Sequence, residues 1–142
     1  MERWVGTGGS GVVQRDGGAA MSARVWLRRA QEPPTRNDGH RVLVDRLWPR
    51  GVSKERIRID EWCRDLAPSD DLRRWFGHDP ARWDGFRQRY RRELAGASDQ
   101  LDQLVERIRR GRVTLVYAAH DQAHNNAVVL REVLEERAGG GG

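Results

Sequence analysis

A small α/β domain built on a short, mostly parallel sheet is the fold class this sequence predicts. Three observations carry it. Two apolar runs, at 24–29 and 41–47, read as strands early in the chain. Residues 70–110 then carry apolar residues at helical spacing. The chain closes on a helix–strand–helix order whose strand, Val113–Ala118, is almost wholly apolar. About four strands are expected from this order, and no internal repeat is visible.

Each element has a local reason. In Arg24–Arg29, Val25 and Leu27 alternate with Arg24, Trp26 and Arg28. A loop with Pro33, Pro34, Asn37, Asp38 and Gly39 leads to the second strand, Arg41–Leu47. Ser53 then caps a single helical turn. Ile57 and Ile59 alternate with Arg58 and Asp60, which predicts a short strand or extended segment running toward Leu66. Ser69 is the N-cap of the next helix, Asp70 and Asp71 suit its dipole, and Gly77 stops it. Asp79-Pro80 opens another helix, with Trp83, Phe86, Tyr90 and Leu94 on one face. Leu101, Leu104, Val105 and Ile108 define a further helix that ends at Gly111. Residues 122–137 form the last one, with Ala127, Leu130, Val133 and Leu134 inward.

The 142 residues suffice for one compact domain with its own core. Residues 22–137 are expected to be that domain, between a disordered glycine-rich extension over 1–21 and a disordered tail over 138–142. Met21 is an alternative start. The net charge is +5, and among the 26 basic residues Lys54 is the single lysine. Arginine presents a planar fork that suits phosphate and carboxylate, so anionic partners are expected. Cys63 is the only cysteine, so no disulfide forms within the chain. With no apolar stretch near the ~20 residues a spanning helix needs, a cytoplasmic protein with no membrane association is expected.

Three strand ends carry the polar groups that could do chemistry. The second strand runs into Asp45, Arg46, Pro49, Arg50 and Gly51, the Ile57–Leu66 segment into Ser69, and the last strand into Asp121 and Asn125. If the strands are parallel, these groups line one edge of the sheet, where α/β proteins bind ligands. Arg46, Arg50 and Arg73 would hold an anion. Helix starts at Ser69 and Asp121 would add backbone donors. Asp45 and Asp121 are the candidate general bases, and Asn125 would orient a substrate. Each also has a purely structural use, as helix cap, loop closure or arginine partner. His120, His124 and His78 do not make a metal site by spacing, and Cys63 is read as structural.

The runs Asp38–Gly51, Asp60-Glu61-Trp62 through Ser69, Leu72–His78, and Thr114–Ala119 with Asp121, His124-Asn125-Asn126-Ala127 and Leu130 resemble the YeaO-like proteins, a bacterial domain of unknown function, DUF488. The likeness covers about residues 22–136. It implies a three-layer, Rossmann-like arrangement but no settled activity. The polar positions it matches are Asp45, Arg46, Arg50, Ser69, Arg73, Asp121, Asn125 and Asn126.

The reading that follows is a domain that binds a small phosphorylated or nucleotide ligand at the carboxyl edge of its sheet. There is no Gly-rich phosphate loop with Lys and Ser/Thr and no dinucleotide fingerprint, and no cofactor is expected. A nucleic-acid-binding module using the arginine surface and a non-catalytic protein-interaction domain are the alternatives. Whether the chain is an enzyme, and its oligomeric state, stay open at this point.

Overall fold

The computed structural model describes residues 24–140, and the glycine-rich extension expected over 1–21 lies outside the described residues. In chain order the elements are β1 (Val25–Arg29), β2 (His40–Leu43), α1 (Lys54–Ile57), β3 (Glu61–Trp62), α2 (Asp70–Phe76), α3 (Trp83–Ala95), α4 (Ser98–Arg110), β4 (Val113–Tyr117) and α5 (Asn126–Gly140). The strands form one sheet in the order β1-β4-β2-β3, and every neighbouring pair is parallel. β4 is last in sequence but lies between β1 and β2, and all of its residues are buried. That position explains its nearly continuous apolar run.

The faces of the sheet are covered unequally. Val25, Val42, Val44, Val113, Leu115 and Tyr117 join the main core with side chains of α2 to α5. On the other face Ala30, Leu43, Ile57 and Val116 form a small cluster under Trp48, Val52, Ile59 and Trp62. The covering layer there is one turn of helix and loops. A buried ion pair fastens it: Asp38, fully buried, binds Arg41, whose Nη2 donates to the Ile57 carbonyl of α1 at 2.8 Å. Gly39 has φ +67°, and a Cβ there would lie 2.2 Å from the Arg112 carbonyl oxygen. Only glycine allows that approach, which lets the His40 N–H donate to Arg112 at 3.0 Å and starts β2 beside β4.

Most local signals are borne out. Ser53 and Ser69 accept from Arg56 N and Leu72 N, and Gly77 closes α2 with φ +54°. Asp79-Pro80 opens a 3₁₀ turn, Pro80–Arg82, that feeds α3. Three expectations need correction. The second strand ends at Leu43, not Leu47, because the Asp45 side chain takes the Ala118 N–H. The Ile57–Leu66 segment is not one extended run. Ile57 closes α1, Arg58 turns the chain at φ 51°, β3 pairs through only two residues, and a 3₁₀ turn covers Arg64–Leu66. The last helix starts at Asn126 rather than 122, because Asp121 and Asn125 hold the preceding residues in a turn, and it extends past Arg137. Among the described residues no helix is long and apolar enough to cross a membrane.

Candidate functional site at the carboxyl ends of the strands

Because the strands are parallel, their carboxyl ends share one edge. After β2 the chain turns to the thin face and α1, whereas after β4 it turns to the main core and α5. Such a reversal opens a crevice between two strand ends.

Asp45 occupies this position. Its Oδ2 accepts the Ala118 N–H at 2.9 Å and its Oδ1 accepts from Asn126 Nδ2 at 3.1 Å. Asn126 Nδ2 also donates to the Val44 carbonyl at 2.9 Å, and Trp62 Nε1 donates to the Asp45 carbonyl at 2.8 Å. Burial raises the Asp45 pKa, against the opposing pull of the Asn126 and Ala118 hydrogen bonds and the Arg73 charge. Asp45 thus stitches β2, β4 and α5 together, with both carboxylate oxygens occupied.

The Ser69 end is occupied as well. Glu93 of α3 accepts the Ser69 N–H at 2.8 Å and the Ser69 hydroxyl proton at 2.6 Å. A carboxylate of the fold therefore fills the place an external anion would take. Asp70 receives Arg73 at 2.7 Å and lies 3.7 Å from Arg46 Nε, which also donates to the Pro68 carbonyl at 3.4 Å. Asp121 is likewise engaged: Oδ1 accepts from Ala123 N and His124 N, and Oδ2 lies 2.9 Å from His124 Nδ1. These bonds, the His124 ring first, hold its pKa below the usual carboxylate value. Asn125, 3% exposed, donates to the Asp121 carbonyl and accepts from Val128 N.

Arg50 stands apart. It lies on an exposed turn in which Trp48 Nε1 donates to the Val52 carbonyl at 2.6 Å, and Gly51 has φ +75°. With Gly51, Val52 and Arg56, and with Ala30–Pro34 just after β1, it lines a cleft of about 270 Å³. Among the described residues neither the Arg50 nor the Arg56 guanidinium has an ion-pair or hydrogen-bond partner. Arg56 and Glu32, which also lines the cleft, were missed from the sequence, as was Glu93. The Ser53 cap does place Arg56 on α1, close in sequence to Arg50, so a signal existed for it. No local signal marks Glu93, which meets Ser69 only through the packing of α3 on α2.

Other candidates resolve into structure. Cys63 donates to Glu61, and burial with the Glu61 charge pushes its thiol up to about 12, so it is a poor nucleophile at neutral pH. Among the described residues no group of three or more His, Cys, Asp or Glu side chains could hold a metal ion. Along α3, Phe86 and Tyr90 are buried, Trp83 packs on Phe76 and Phe86, and Arg87 and Arg91 pair with Glu132. This run therefore offers no open stacking surface for bases.

The chain also matches a family model described as the inactive DUF488-N3 subclade, over residues 24–139. It belongs to this YeaO-like DUF488 family. It is 42% identical over 114 residues to an uncharacterized protein of Mycobacterium tuberculosis strain H37Rv, covering 80% of this chain and 96% of that one. The match to an uncharacterized protein of Mycobacterium bovis has the same extent and identity. Identity to the uncharacterized protein YeaO of Escherichia coli K12 is 36% over 110 residues, 78% of this chain and 96% of YeaO. No solved structure matches the chain.

Proposed function

We propose that this domain is a non-catalytic binding module that takes a small anionic ligand, phosphorylated or carboxylated, in the cleft between Ala30–Pro34 and Arg50–Arg56. The observation that carries this reading is the pair Arg50 and Arg56. They are two guanidiniums without partners on one cleft, beside strand ends where nearly every other charge is satisfied within the fold. Two forks lining one cleft suit bidentate recognition of an oxyanion. The absence of catalysis is supported by the candidate bases: Asp45 and Asp121 each spend both oxygens on the protein itself. The matched subclade's description as inactive agrees with it.

Thermal unfolding of the full chain against inorganic phosphate, nucleotides, sugar phosphates and small carboxylates tests the reading. A ligand at a hundredfold excess over its Kd stabilises the folded state by about 2.7 kcal/mol. The expected result is a rise in Tm for at least one compound in the wild type and none in Arg50→Ala. An unchanged Tm with every compound would remove the reading.

A further inference from the structure

The cleft carries a third charge, and it has the opposite sign. Glu32 lines the same cavity as Arg50 and Arg56. Its Oε1 accepts the Arg29 N–H at 2.6 Å, while its own N–H donates to the Arg29 carbonyl at 3.0 Å. This reciprocal pair pins the carboxylate at the end of β1. Glu32 makes no ion pair with either cleft arginine. A pinned carboxylate would repel a simple anion entering beside it. Here it shares with two unpartnered guanidiniums a cavity of about 270 Å³ whose remaining lining includes Pro33, Pro34 and Val52. A ligand complementary to all three charges carries both signs itself.

Resting on the anion-binding reading above, we propose that the cleft selects a small zwitterion. Its acid group, phosphate or carboxylate, sits on Arg50 and Arg56, its ammonium meets the free oxygen of Glu32, and a short alkyl linker lies on the prolines. Aminoalkyl phosphates and amino acids share this chemistry. The cavity is below the usual range for drug-sized ligands, which favours a compact molecule over a nucleotide.

Calorimetric titration of the full chain with two matched pairs tests it: O-phosphoethanolamine against ethyl phosphate, and γ-aminobutyrate against butyrate. These pairs also tell a phosphate ligand from a carboxylate one. In the wild type the zwitterion of one pair should bind about tenfold more tightly than its partner, the effect of one added charge-assisted hydrogen bond. Glu32→Gln keeps an acceptor for the Arg29 N–H and should erase the preference, with the plain anion bound more tightly than by the wild type because the repelling charge is gone. Arg50→Ala should abolish both. Equal or tighter binding of the plain anion by the wild type would overturn the zwitterion and leave the anion site standing. Absence of heat with all four compounds would overturn both.

Discussion

The carboxyl edge of this sheet has two halves built from the same kinds of residue and finished differently. In the half between β2 and β4, Asp45, Asn126, Ser69, Arg73 and Asp121 all have partners inside the protein, several of them backbone groups. In the half between the β1 and β2 loops, Arg50 and Arg56 have none among the described residues. Polar side chains at strand ends are therefore not alike in meaning. A carboxylate that accepts backbone N–H groups is part of the fold, whereas a guanidinium on a cleft wall with nothing to bind is available to a ligand.

The comparison makes unequal predictions for the two halves. The largest effect is expected at Asp45. Asp45→Ala strands the Ala118 N–H and removes an acceptor from Asn126, and should cost about 3 kcal/mol in urea unfolding. Asp45→Asn retains one acceptor and should cost less. A loss under about 0.5 kcal/mol for the alanine variant would show that this half is not structural. Next comes Ser69→Ala, which deletes the Leu72 cap and one Glu93 bond and should cost about 1 kcal/mol.

A pH series sharpens the same point. The folded Asp45 pKa is raised, so between its ordinary value and that raised value the folded state holds a proton the unfolded chain has lost. Stability from this group is greatest below the ordinary value and falls as pH rises through the window. Asp45→Asn should remove that dependence, so the variant's deficit relative to wild type should shrink as pH rises from about 4 to 7. A deficit that widens instead would mean that the Asp45 pKa is depressed in the folded state. Smallest of all, Arg50→Ala should change stability by less than about 0.5 kcal/mol. Cys63 should react with iodoacetamide at pH 8 far more slowly than free cysteine, given its raised pKa of about 12.

Local chemistry was legible in the sequence. Ser53, Ser69, Gly77 and Asp79-Pro80 each announce a helix boundary through bonds made within four residues, and each is found there. β4 was legible because burial on both faces leaves a nearly continuous apolar run. What stayed hidden depends on distant partners. The end of β2 is set by the bond between Asp45 and Ala118, far away in sequence. Ile57 and Ile59 fit a strand period as well as one turn of helix, and the buried Arg41 reaching the Ile57 carbonyl favours the turn. The candidate site divides on the same line. The strand-end pattern put Asp45, Ser69, Asp121 and Asn125 along one edge, but the Asp45–Asn126 bond, the Glu93 carboxylate at the Ser69 helix start and the cleft that Arg50 shares with Ala30–Pro34 all depend on partners distant in sequence.

The most direct measurement is a backbone amide NMR titration of the full chain with O-phosphoethanolamine and with inorganic phosphate. Saturable shifts are expected at Gln31, Glu32 and Arg50–Arg56 with at least one of them, while Ser69, Leu72, Ala118 and Ala123, which do not line the cleft, stay still. Shifts centred on Ser69, Ala118 and Ala123, with the Arg50 loop unmoved, would contradict this and move the ligand to the half between β2 and β4.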